Sequence, residues 1–183
     1  MNKADQTRGR IAGVALHLFS EQGYDETTVA QIAAAAGVSH MTFFRYFPTK
    51  EDVVVSDPYD PLIAESVAAQ PRHLRPVERV RQGLVDAWAA MNRELDLAEE
   101  QVTARIRLAA AHRGLRARTW DSNRATQQAI VAVLVEQGAD PAEAEAATGA
   151  CLGAITAALL ADWSGRRLSE VVLGALAVLE PQP

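Results

Sequence analysis

The sequence predicts an all-α protein, and three observations predict it. Apolar residues recur at helical spacing along almost the whole chain. Alanine dominates, while alternating runs of β-branched residues are absent. Helix starts and stops punctuate the chain: Ser, Thr or Asp where a helix begins, Gly or Pro where it ends.

The first helix is predicted over about Thr7 to Gln22. Ile11, Val14, Ala15, Leu18 and Phe19 form its apolar stripe, and Gly23 sits at its C-terminal cap. Thr28 and Gln31 have the T-x-x-Q spacing of a capping box, so a second helix starts at Thr28, runs to about Ala35 and ends at Gly37. Ser39 caps a third, short helix to about Tyr46, and Pro48 stops it. Thr49 caps a fourth, to about Asp57, with Asp52 as its box partner. Pro58 and Pro61 then interrupt, and residues 68–76 (AAQPRHLRP) read as a loop. Long helices are predicted over about 76–97, 99–113, 115–137, 141–163 and 167–180. Val77, Val80, Leu84, Trp88, Met91 and Leu95 are the stripe of the first of these. Asp140, Pro141 and Glu143 supply a cap, a first-turn proline and an acidic first turn to the helix that follows them. The layout is therefore a compact unit over 1–53 and a larger helical unit over 54–183.

Composition bounds the function. With 49% apolar and 22% charged residues, the 183-residue chain can build a packed core. The net charge of −5 argues against a protein coated in basic charge, though not against a local basic patch. The single cysteine, Cys151, cannot form an internal disulfide, which fits a reducing compartment. The N-terminus lacks a hydrophobic signal core, and the longest apolar run, 146–161, falls short of the ~20 residues that span a bilayer. A cytoplasmic protein without membrane contact is the expectation.

The stretch AGVSHMTFFRYFPTKED, residues 36–52, carries the chemistry. Two short helices joined through Gly37 have the pattern of a helix-turn-helix. Ile32, Ala36, Val38 and Phe43 fill the apolar contact positions, Ala33 is small where the helices cross, and Gly37 supplies a permissive backbone. Phe43 and Phe47 are expected to anchor the third helix inward. Between residues 37 and 50 lie His40, Arg45 and Lys50 and no acid, so the patch is basic in an acidic chain. Lys50 stands in a helix first turn, against the macrodipole, where a bound phosphate would reverse the preference.

Residues 7 to about 53, and TTVAQIAAAAGVSHMTFFRYFPTKEDV above all, resemble the DNA-binding region of the TetR (tetracycline repressor) family. The resemblance implies that Ser39 to Tyr46 is a recognition helix in the major groove. Ser39, His40, Met41 and Thr42 would then meet base edges and adjacent phosphates. Phe44 replaces the tyrosine that more often binds a phosphate, leaving apolar contact such as a thymine methyl. Arg45, Tyr46, Thr28 and the family's phosphate-binding lysine, here Lys50, supply backbone contacts. Lys3, Arg8 and Arg10 could trail along the same backbone. The family's double-stranded DNA partner is a palindromic operator read by a homodimer, and its members usually repress until a small molecule releases them.

For the second unit the resemblance implies a pocket and a dimer interface. Trp88, Met91, Arg105, Leu108, His112, Trp120, Asn123, Gln127 and Gln128 are candidate pocket residues, polar groups converging among aromatics. SDPYDPLIAESVAAQP and RIRLAAAHRGLRARTW are similar to the mycofactocin-regulator subgroup, which implies an apolar or acyl-CoA-like effector. Arg105, Arg107, Arg116 and Arg118 could meet its phosphates. The dimer is expected through residues 141–180. Ala146, Ala147, Gly149, Ala150, Gly153, Ala154 and Ala157 are small enough for close helix approach, and Leu168, Val171, Val172, Ala175, Leu176 and Leu179 make the last helix too apolar to face water. Ligand linkage would run through the fourth helix.

An enzyme is the rival class. The histidines at 17, 40, 73 and 112 lack metal-ligand spacing, and there is no GxSxG, phosphate-cradling glycine loop or Cys–His pair. No catalytic residue, metal or cofactor is expected. An architectural DNA-binding protein with a dry, filled second unit is the other alternative.

Overall fold

The computed structural model describes residues 3–56, 60–94, 99–161 and 165–180. Among these the chain is helical, without strands. The order is α1 (Lys3–Gln22), α2 (Val29–Ala35), α3 (His40–Tyr46), α4 (Asp52–Val55), α5 (Asp60–Ala68), α6 (Pro76–Glu94), α7 (Glu99–Ala111), α8 (Arg113–Glu136), α9 (Pro141–Leu159) and α10 (Leu168–Ala177). The expected ends at Asp57, 97 and 163, Leu95 of the α6 stripe and Pro58 lie outside the described residues.

Where prediction and structure differ, the reason is local. Helix α1 starts a turn before Thr7, whose hydroxyl donates back to Lys3 O at 2.9 Å within the helix instead of capping it. Helix α5 stands where Pro61 was read as an interruption; a proline in a first turn lacks only an N–H that has no intrahelical acceptor. Helix α8 starts at Arg113, and Gly114 lies within it instead of breaking it. The box of Thr49 and Asp52 forms, with Thr49 N and Oγ1 each donating to Asp52 Oδ2 at 2.8 Å, although regular helix begins only at Asp52. The cap of α9 is as expected: Asp140 Oδ1 accepts from Ala142 N and Glu143 N, both at 3.0 Å.

Two apolar clusters organise the packing. The first joins α1 to α4 around Ile11, Ile32, Phe43 and Val53, and is closed by Ala109, Leu115 and Leu160 from the larger unit. The second joins α5, α6, α8, α9 and α10 around Val67, Val80, Ile130, Cys151 and Leu176. Burial pushes the Cys151 thiol up to about 11, so it sits neutral as a small apolar side chain. Helices α5 and α6 meet at Gly83, where an added Cβ would lie 2.6 Å from Val67 Cα. No helix among the described residues is long and apolar enough to cross a membrane.

The expected role of the last helix needs correction. Leu168, Val171, Val172, Ala175 and Leu176 are buried in the protomer's own core, against α9, and Leu179 packs on the same cluster. The apolar groups that α10 leaves at the surface are Leu173 and Val178. On α9, Ala147 is buried, while Ala146, Ala150 and Ala157 are exposed and Gly149, Gly153 and Ala154 half-buried.

Candidate nucleic-acid interface and adjoining cavity

The turn between α2 and α3 is a Schellman motif. Val38 N donates to Ala33 O at 2.9 Å and Gly37 N to Ala34 O at 3.1 Å, closing the orphan carbonyls of α2. This requires the left-handed backbone of Gly37, φ +63°. Ser39 then caps α3, its Oγ accepting from Thr42 N at 3.1 Å. Phe43 and Phe47 are buried, as expected, and turn the opposite face outward. That face carries Met41, Phe44, Arg45 and His40, with Met41 78% and Phe44 44% exposed. Thr42 and Tyr46 flank it, half-buried, and the Arg45 guanidinium lies 5.2 Å from the Tyr46 ring centroid. Thr28 is exposed at the head of α2, where it exchanges hydrogen bonds with Gln31 as a capping box.

Arg8 has a different task from the one expected. Its Nη1 donates to Tyr46 O at 2.9 Å and its guanidinium lies 4.5 Å from the Phe47 ring centroid. A cation at the C-terminal end of α3 favours the helix dipole and fixes α3 against α1. Lys3 and Arg10 are exposed on α1.

Lys50 is likewise engaged within the protein. Its Nζ donates to Tyr24 O at 2.9 Å and Thr27 O at 3.1 Å, and lies 4.2 Å from the Tyr24 ring centroid. Tyr24 donates in turn to Glu51 Oε1 at 3.1 Å and packs on Phe19 and His112. Burial would raise the Glu51 carboxyl, but hydrogen bonds from the backbone, Tyr24 and Thr49, with the Lys50 charge, hold it below the usual range. Burial and the same Glu51 raise the Tyr24 phenol. Lys50 therefore ties the turn after α1 to the start of α4. Lys50→Met is expected to cost about 2 kcal/mol through loss of these charged hydrogen bonds. A urea melt measures it, and DNA affinity should fall with its salt slope unchanged.

Behind α4 lies a cavity of about 220 Å³. Its walls come from α4 to α10 and are mostly apolar, with Val54 and Val55 of α4 among them. Of the candidate pocket residues, Trp88, Met91, Arg105 and Asn123 line it. The other candidates do not. Leu108 packs on the N-terminal cluster, and the His112 ring stacks on Tyr24 at 5.1 Å. Trp120 is 49% exposed on the outer side of α8. Gln127 donates to Glu145 Oε2 at 2.7 Å in an exposed contact, and Gln128 is exposed. The four arginines proposed for ligand phosphates do not converge. Arg105 lines the cavity, Arg107 is exposed, Arg116 donates to Ala110 O, and Arg118 pairs with Asp52 at 3.1 Å.

The cavity wall holds the end of α4. Arg105 Nε donates to Val54 O at 3.0 Å and Nη2 to Ser56 O at 2.5 Å, and Ser122 Oγ donates to Val55 O at 3.0 Å. Asn123 Nδ2 donates to Thr156 Oγ1 at 2.5 Å, joining α8 to α9 across the same wall. Sequence reasoning missed these long-range bonds, for which no local pattern exists. The Trp88 Nε1 donor is buried without a partner.

The family model described as "Bacterial regulatory proteins, tetR family" matches residues 11–56, which hold all four helices of the N-terminal unit from Ile11 onward. The HTH-type transcriptional regulator TcmR of Streptomyces glaucescens is 48% identical over 54 residues, 30% of this chain and 24% of TcmR. The similarity to AcrR of Shigella flexneri also spans only 24% of that relative. CymR of Pseudomonas putida is similar over more of its length, 28% identical over 149 residues, 78% of this chain and 72% of CymR. Thermus thermophilus FadR, a TetR-family transcriptional repressor solved in complex with lauroyl-CoA, superposes with a TM-score of 0.53 at 27% identity, covering 94% of this chain and 92% of FadR. NalD, the secondary repressor of the MexAB-OprM efflux pump in Pseudomonas aeruginosa, has the same fold at a TM-score of 0.52 and 20% identity, covering 95% of each chain. In residues 11–56 and in its fold, this chain is thus similar to transcriptional regulators of the TetR family.

Proposed function

We propose that the chain is a ligand-released repressor that binds a palindromic operator as a homodimer in the cytoplasm. The observation that carries this reading is the outward face of α3: Met41, Phe44, Arg45 and His40 stand exposed on a short helix whose other face is buried through Phe43 and Phe47. Ser39, His40, Met41 and Thr42 meet base edges and nearby phosphates, and Phe44 offers apolar contact. Arg45, Tyr46 and Thr28 serve the backbone, while Lys50 supports them indirectly by holding the turn before α2 through its two carbonyl bonds. The working division is a DNA-binding unit over 1–53 and an effector and dimer unit over 54–183.

Residues 141–180 form the dimer contact in this reading, through the exposed small residues of α9 and the exposed Leu173 and Val178 of α10. The effector occupies the cavity behind α4 and is apolar or acyl-CoA-like; FadR, with lauroyl-CoA, supports that class. Because Val54 and Val55 belong both to α4 and to the cavity wall, occupancy biases the spacing of the two recognition helices. Selection of bound fragments from random DNA tests the reading. The expected product is a palindrome with half-sites about 34–36 Å apart, bound by two chains. Recovery of unrelated fragments would favour the architectural alternative.

A further inference from the structure

Arg79, Gly83 and Ala87 follow one another at four-residue spacing on α6, and Gly83 is where that row meets Val67 of α5. All three are buried, Arg79 to 3% exposure. A guanidinium is a costly choice for such a row, because a buried charge needs a counter-charge to offset its lost hydration.

The arginines on either side have one. Arg75 pairs with Glu78 at 3.0 Å, and Arg81 with Glu180 at 2.9 Å. Arg79 pairs with no acid among the described residues. Its Nη2 donates to Gln137 Oε1, a neutral amide, and its Nε is buried without a partner. Gln137 Nε2 donates in turn to Ala68 O at 3.2 Å. The charge that acts on Arg79 is Arg72, exposed in the loop before α6 and of the same sign. Burial, and after it the Arg72 charge, lower the Arg79 pKa, yet a guanidinium stays protonated in a protein. Two positive charges therefore meet where α5 ends, α6 begins and α8 ends.

We propose that Arg79 and Arg72 form a binding site for a tetrahedral oxyanion, either free phosphate or the phosphoryl group of a small phosphomonoester. A dianion neutralises both guanidiniums, whereas a carboxylate neutralises one. The planar forks of the two arginines match phosphate oxygens. Nη1 is the Arg79 nitrogen that is neither bonded nor enclosed, and so the one that meets the anion. Bound there, the anion turns a repulsion into a bridge and, through Gln137, clamps the ends of α5 and α8 to the start of α6. The site is separate from the cavity behind α4. Arg72, Arg79 and Gln137 are absent from that cavity's wall, and Gln137 lies about 16 Å along α8 beyond Thr126, its last α8 residue in the wall. The inference does not depend on the repressor reading.

The full chain tests it. At constant ionic strength, held with sodium chloride, inorganic phosphate, glycerol 3-phosphate and acetate are titrated by calorimetry, with parallel thermal melts. The unsubstituted protein is compared with Arg72→Gln and Arg79→Met. One phosphate should bind per chain and raise the melting temperature by about 3 °C or more at tenfold its Kd. Acetate should bind about tenfold or more weakly. Arg72→Gln, an exposed change that leaves the core intact, should weaken phosphate about tenfold or more while leaving DNA affinity within about twofold. Arg79→Met should lose the phosphate response. Glycerol 3-phosphate binding as tightly as phosphate would support the site and assign it to phosphomonoesters; its exclusion, with phosphate bound, would support the site and assign it to the free ion. No phosphate binding to the unsubstituted chain, acetate binding as tightly as phosphate, or a phosphate affinity unchanged in Arg72→Gln would overturn the proposal, the last because the anion would then sit elsewhere.

Discussion

Phe43→Ala is expected to destabilise the N-terminal unit by about 3–5 kcal/mol and to abolish DNA binding with it. Phe43 is fully buried at the centre of the first cluster, between α1, α2 and α3. Its ring sits 5.9 Å from Phe47 and 5.5 Å, edge-on, from Phe44. Removing it takes away both the transfer energy of a whole aromatic ring and the packing that orients α3, because the helix has only seven residues and cannot hold itself. Phe44→Ala is the matched control. At 44% exposure it should change stability by no more than about 0.5–1 kcal/mol, yet weaken DNA binding if its face meets the groove. Urea unfolding of both variants separates the anchoring phenylalanine from the presenting one.

Gly83→Ala is expected to destabilise the larger unit by about 1–3 kcal/mol or more, although alanine is the better helix former. The added Cβ would lie 2.6 Å from Val67 Cα and 2.8 Å from Val67 N. Both are backbone atoms of α5, which no rotamer change can move aside. Helices α5 and α6 must separate, and Ile63 and Leu84, which line the cavity on those two helices, shift with them. Gly114→Ala in α8 has the opposite sign. A Cβ there meets nothing within 4 Å, so the helix gains about 0.5–1 kcal/mol. Thermal melts of the two variants should move in opposite directions.

The parts of this protein legible in its sequence are those with local causes. The caps at Thr28, Ser39 and Asp140 and the turn at Gly37 each depend on residues within a few positions, and all of them form. The buried faces of α1 and α3 follow from spacing alone. Partner choice is a different matter. The apolar stripe of α10 was legible, but a stripe does not say whether it packs on its own core or on another chain, and here Val171, Val172 and Leu176 face their own core. The same ambiguity sent Leu108 and His112 to the wrong neighbours. They share α7 and its end with Arg105 and Ala109 but turn toward α1 and Tyr24. Arg8 to Tyr46, Lys50 to Tyr24 and Arg105 to Val54 bridge 38, 26 and 51 positions, and no pattern in one sequence joins such pairs. Two of these bonds change the meaning of residues read as DNA contacts. Arg8 secures the last carbonyl of α3 and Lys50 the turn before α2, and the exposed Arg45 is left as the cation best placed to reach a phosphate.

That assignment can be measured directly. The full chain is titrated onto DNA from its own upstream region over a salt series, with and without Arg45→Ala. The expected result is tight binding of a short palindrome, with the slope of log affinity against log salt reduced by about 1 unit per binding head in the variant. Unchanged affinity and slope in Arg45→Ala, or uniform binding to unrelated duplexes, would contradict the account, because α3 would then not be the element that meets DNA.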